Sequence, residues 1–76
     1  MAESVEWRNV YSRSASRVGY DAHEAELYVQ WARNGRISIY GPDFPYEEFD
    51  KLSKSVSVGN MIRNEIAPNY SHRYAP

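Results

Sequence analysis

Apolar and polar positions alternate most clearly between Leu27 and Tyr40. Leu27, Val29 and Trp31 take one phase and Tyr28 and Gln30 the other, the period of a half-buried strand. Asn34-Gly35 follows, a strong hairpin signal, and Arg36, Ile37, Ser38, Ile39 and Tyr40 alternate again. A two-residue loop at Asn34-Gly35 would set Trp31 opposite Ser38 and turn both isoleucines away from it. A three-residue loop, Arg33-Asn34-Gly35, pairs Trp31 with Ile37 and Val29 with Ile39. A slip of one residue moves every side chain to the other face, so the three-residue loop is expected. Leu27, Val29, Trp31, Ile37 and Ile39 then face the core, and Tyr28, Gln30, Arg36, Ser38 and Tyr40 face outward.

Weaker patterns flank this hairpin. Val5 and Trp7 alternate, as in a short edge strand, and Ser14 to Asp21 reads as a strand ending in a turn near Asp21 to Glu24. Gly41-Pro42 closes the last strand. Asp43 is placed to cap a helix with Pro45 in its first turn and Glu47 and Glu48 at the positive end of its dipole. Phe49, Leu52 and Val56 recur at helical spacing. A second short helix is expected after Ser57, with Val58, Met61, Ile62 and Ile66 as its apolar stripe and Pro68 at its end. These elements predict an α+β fold: an antiparallel meander of three to four strands, with two C-terminal helices packed on one face.

The chain has 76 residues, enough for one domain. Its core is expected over about residues 10–70, with residues 71–76 loosely ordered. Small scaffolds lean on disulfides, metals or partners. Cysteine is absent, so disulfides and thiolate metal sites are excluded. His23 and His72 are far apart and share no ligand spacing, so no metal or other cofactor is expected. Self-association remains, and a homodimer is expected. No apolar run approaches membrane-spanning length and no export signal is visible, so the expected location is the cytoplasm, with no membrane association.

The net charge of −1 argues against a strongly basic nucleic-acid module but leaves room for a local basic patch. Seven of the nine basic residues are arginines: Arg8, Arg13, Arg17, Arg33, Arg36, Arg63 and Arg73. Arginine is the better residue for bidentate phosphate contacts. The acidic Asp43, Glu47, Glu48 and Asp50 form a separate group, an arrangement that can steer an anion or drive head-to-tail association. Facing tyrosines at 28 and 40 could stack bases, at about 1–3 kcal/mol each, or form an ordinary cross-strand pair. Ser57-Val58-Gly59 could offer backbone N–H groups to a phosphate, or act as a helix cap with a glycine that allows close packing. No nucleophile, base and orienting acid come together, so the chain is not expected to be an enzyme.

The order Val10-Tyr11-Ser12, Val18-Gly19-Tyr20-Asp21, an apolar strand, Asn34-Gly35 and Tyr40-Gly41-Pro42 resembles the KTSC domain. Ser57-Val58-Gly59 with Ile62, Ile66 and Tyr70 is similar to that family's closing motif. The sequence departs from the pattern at Arg13, where the family has the second serine of a pair, and at Ile62, Arg63 and Ala67. The family occurs at the end of some lysyl-tRNA synthetases and as free-standing bacterial and phage proteins. The resemblance therefore implies a nucleic-acid context, or a phage accessory or anti-defence role such as sequestering a nucleotide. Together these readings predict a non-catalytic module that binds a nucleic-acid or nucleotide anion. Arg13, Arg17, Arg36 and Arg63 would hold phosphate, Tyr28 and Tyr40 would stack bases, and Ser57 and Gly59 would lie beside them. The alternative is a protein-interaction module or inhibitor docking on a host protein through its open sheet face.

Overall fold

The computed structural model describes residues 5–76; the first four residues, where an export signal would begin, lie outside it. Five strands form one antiparallel sheet in sequential order: β1 Val5–Asn9, β2 Ala15–Asp21, β3 Glu26–Trp31, β4 Ile37–Tyr40 and β5 His72–Tyr74. Helix α1 Tyr46–Ser53 and helix α2 Val58–Met61, which runs on through a π-helical turn Ile62–Ile66, lie between β4 and β5. The α+β class is as expected, with one strand more than predicted.

The hairpin register is shifted by one residue from the expected one. Tyr28 pairs with Ile39, Val29 with Ser38 and Gln30 with Ile37. The loop has four residues, because Trp31 N–H donates to Arg36 O at 2.8 Å and Gly35 N–H returns to Trp31 O at 2.9 Å. Gly35 sits at φ +73°, a left-handed conformation that glycine adopts without a Cβ penalty. Asn34 Oδ1 accepts the Arg36 N–H at 3.0 Å. The slip exchanges the faces of β4. Ser38 and Tyr40 turn toward the helices, while Ile37 and Ile39 join Val5, Trp7 and Tyr28 on the open face.

The polar side chain that the slip buries is satisfied. Ser38 is 1% exposed; its Oγ accepts the Trp31 indole N–H at 2.7 Å and lies 2.9 Å from His72 Nε2. Tyr40 fills the core with Ala15, Val18, Tyr20, Leu27 and Val29, under Phe44, Phe49, Leu52, Val58, Met61, Ile62 and Ile66. The second helix therefore carries the predicted stripe, and Ala67 N–H donates back to Ile62 O to complete its wide turn.

Three other expectations are corrected. Asp43 does not cap α1: it sits at φ +66° and Pro45 holds the cap position without a side-chain bond. Val56 is fully exposed, since α1 stops at Ser53 before the helical spacing reaches it. The tail is not loose throughout. Gly41 N–H donates to Ser71 O and Ala75 N–H to Ile37 O, which lays β5 along β4. Arg73 clamps it there through two bonds to Glu26, at 2.7 and 3.1 Å.

Candidate functional site

The ladder bonds fix where the strands point their side chains, and so what each end of the sheet collects. Strands β2 and β4 begin, and β3 and β5 end, at the Ala32–Gly35 loop. At that end Arg13, Ser14, Trp31, Arg33, Asn34 and Tyr74 line an open cleft of about 440 Å³ on the helix side of the sheet. Arg36 lies over the Tyr74 ring, 3.8 Å from its centroid, within cation–π range. Trp31 is held by its indole bond to Ser38, so its ring is positioned by the same serine that His72 touches. Ser12 Oγ accepts the N–H groups of Ser14 and Ala15, which shapes the turn leading into β2.

Among the described residues, Arg13, Arg33 and Arg36 have no carboxylate partner, and no carboxylate lines the cleft. The other arginines are engaged. Arg8 bonds Asp50 at 2.6 Å and Glu6 at 2.8 Å, and both contacts raise its pKa, while the bond from Arg8 lowers that of Asp50. Arg17 bonds Gln30 and covers the Trp7 ring at 3.9 Å. Arg63 bonds Asn60, and Arg73 bonds Glu26. The opposite end of the sheet is acidic, with Asp21 and Glu26 at the β2–β3 turn and Glu24 within it. The two guanidiniums in the cleft, Arg13 and Arg33, beside Trp31 and a Tyr74 ring backed by Arg36, can hold an anionic group attached to a planar one.

The predicted site residues do not form one site. Arg13 lines the cleft and Arg36 supports its wall. Tyr28 and Tyr40 do not face each other: Tyr40 is 5% exposed in the core, whereas Tyr28 lies on the open face, edge-on to Trp7 at 6.0 Å. Arg36 shares the helix-side face and not that of Tyr28, again because of the register. Burial raises the pKa of both tyrosines. Arg17 points to the open face. Ser57 is exposed and lines a separate crevice between the helices. Gly59 is a packing glycine; a Cβ there would lie 2.7 Å from Ser14 Oγ, so it lets α2 approach the strand that borders the cleft. Arg63, one turn further on, does not line the cleft.

Sequence reasoning missed Trp31 and Tyr74 as walls. The signal for Trp31 was present, since Trp31-Ala32-Arg33-Asn34-Gly35-Arg36 puts an aromatic residue and two arginines around a tight turn. Tyr74 reaches the cleft only through β5, which has no sequence period. Among the described residues, no group of three or more histidine and acidic side chains is placed to hold a metal. None of the helices formed by those residues is long and apolar enough to cross a membrane.

No curated protein matches the chain. Its fold is similar to that of a KTSC domain protein from Yersinia pestis known from a crystal structure, with a TM-score of 0.82 at 21% identity, covering 95% of this chain and 99% of that one. The KTSC domain family model matches residues 11–70, a span that takes in the cleft-forming loop and both helices, and the chain belongs to that family.

Proposed function

We propose that this chain is a non-catalytic binding module for a small anionic ligand with a planar group, of the nucleotide or single-stranded nucleic-acid class. One observation carries the reading: Arg13 and Arg33, free of carboxylates among the described residues, share a cleft with Trp31 and Tyr74. Arginine gives bidentate phosphate contacts and an aromatic wall gives sequence-tolerant stacking. The net charge of −1 and the acidic far end of the sheet disfavour long duplexes, which need an extended basic face. A phage accessory protein that sequesters a nucleotide fits this scheme.

The test is a thermal-shift screen against mononucleotides, cyclic dinucleotides, short single-stranded RNA and tRNA, at low and moderate salt. A ligand at 100 times its Kd adds about 2.7 kcal/mol, a shift of several degrees in a domain of this size. The shift should shrink with salt and disappear in Arg13→Ala and Arg33→Ala, while Arg63→Ala keeps it. No shift with any probe, or one indifferent to Arg13 and Arg33, refutes the reading. A second reading, docking of a host protein on the open sheet face, is favoured by the apolar groove of about 420 Å³ along Trp7, Tyr28, Ile37 and Ile39. It predicts a partner captured with weak salt dependence and lost in Ile37→Lys.

A further inference from the structure

Among the described residues the outer edge of β1 has no ladder partner, and the direction of its backbone groups can be derived. Trp31 N–H donates to Arg36 O, so the odd-numbered residues of β3 bond β4 and its even-numbered ones bond β2. Through the register of β2 with β3 and with β1, Glu6 and Arg8 spend their backbone groups on β2. The bond from Val10 N–H to Ser16 O leads independently to the same phase. Val5, Trp7 and Asn9 therefore direct their N–H and C=O groups away from the sheet.

We propose that this edge pairs with a second copy of the chain, β1 against β1, antiparallel and centred on Trp7. The sequence Val5-Glu6-Trp7-Arg8-Asn9 selects that register. A two-fold axis at Trp7 sets Glu6 of each copy opposite Arg8 of the other, on the helix side where Arg8 already meets Asp50. Centring on Glu6 or on Arg8 would set like charges directly opposite, which destabilises a pair. Centring on Val5 or Asn9 would leave most of the strand unpaired. On the open face the two Trp7 rings become neighbours and the apolar surface around Val5, Trp7 and Tyr28 continues across the axis. The other edge does not offer this: β5 has three residues, and centring there sets Arg73 against its own copy.

Sedimentation over a micromolar-to-millimolar concentration series tests the state. The expected result is a species of twice the chain's 8.8 kDa in the wild type and a monomer in Glu6→Arg. That substitution sets two arginines opposite each other across the axis while leaving Arg8 its Asp50 and Ser53 partners. Disulfide trapping tests the register, since the chain has no cysteine. Hydrogen-bonded antiparallel partners stand about 5.5 Å apart, within disulfide reach. The Trp7→Cys variant should therefore crosslink under mild oxidation and the Asn9→Cys variant should not. A wild type that stays monomeric throughout overturns the proposal and leaves the edge to an extended segment of another protein. A dimer that persists in Glu6→Arg, or that crosslinks in the Asn9→Cys variant and not in the Trp7→Cys variant, overturns it in favour of another surface or register.

Discussion

Replacing Ser38 by alanine removes one hydroxyl that two strands share. The Ser38 Oγ accepts the Trp31 indole N–H at 2.7 Å and meets His72 Nε2 at 2.9 Å. A net hydrogen bond is worth about 1 kcal/mol, and a donor left unpaired costs about 1–3 kcal/mol. His72 is exposed and Trp31 half-buried, so water replaces part of the loss, and the expected cost is about 2 kcal/mol. For a domain this small that is a fall in Tm of roughly 8–16 °C. Thermal and urea unfolding, followed by circular dichroism, measure it. The cycle with Trp31→Phe identifies the cause: Ser38→Ala should cost about 1 kcal/mol less once the indole donor is gone. A loss below about 0.5 kcal/mol, or a cycle without coupling, refutes the claim that this serine stabilises the observed register. Because Trp31 and Tyr74 wall the cleft, Ser38→Ala should also weaken any ligand shift found for the wild type.

Gly19→Val should destabilise the chain by about 1–3 kcal/mol, as overpacking does: a Cβ at Gly19 would meet Val5 at 2.7 Å and Trp7 at 2.8 Å, and urea unfolding should record the loss together with a change in Trp7 fluorescence. The Asp50 pKa is lowered first by its bond from Arg8 and then by Lys54, so Asp50 adds stability above the ordinary carboxylate range that is lost as pH falls through its depressed value. The stability gap between wild type and Asp50→Asn should accordingly close in acid, and a gap independent of pH would contradict the pairing. Burial raises the Tyr20, Tyr28 and Tyr40 pKa values above 10. Their neutral forms stabilise the fold below the unfolded tyrosine pKa, and that contribution disappears as pH rises through the folded values. Ultraviolet titration should show these three phenols ionising above the ordinary tyrosine range.

The elements were largely legible in the sequence, and the faces of β4 were not. Ile37 and Ile39 looked like core because isoleucine is more apolar than serine or tyrosine. Both faces of that strand suit apolar residues, however: one meets the helices, and the other lines the open-face groove beside Tyr28, where Ile39 is itself buried. Alternation alone cannot decide a strand with two apolar-competent faces. The decision came from contacts that alternation does not encode: the hydroxyl acceptor for Trp31 across the hairpin, the core volume filled by Tyr40, and His72 from β5. β5 itself is set by such contacts, since it is three exposed residues held by Ser71, Ala75 and the Arg73–Glu26 pair. The helix-side apolar stripe was legible because Val58, Met61, Ile62 and Ile66 are all buried on one face. The candidate site was legible only as a class of residue. Arginine content pointed to an anion, but which arginines stay uncommitted depends on Asp50, Glu26, Gln30 and Asn60, whose proximity is a product of the fold.

The proposed cleft lies at one end of the sheet and the proposed pairing edge along one side, and this limits what an assembly could do. The cleft runs across the sheet end from Arg13 and Ser14 to the β3–β4 loop and Tyr74, while the pairing edge is the outer side of β1. At about 4.8 Å per strand spacing, two clefts centred near β3 and β4 in a β1-paired dimer stand about 30 Å apart across the strands. The antiparallel axis points their basic ends in opposite directions. No ligand of nucleotide size could touch both, so the dimer would not enclose a ligand between subunits. Each cleft would bind alone, with a Hill coefficient of one and one ligand per chain. Calorimetric titration of whichever probe stabilises the protein decides this. Half a ligand per chain, or binding that fails in the Glu6→Arg monomer, would mean that the ligand site is shared between copies and that the cleft at Arg13 and Arg33 is not complete by itself.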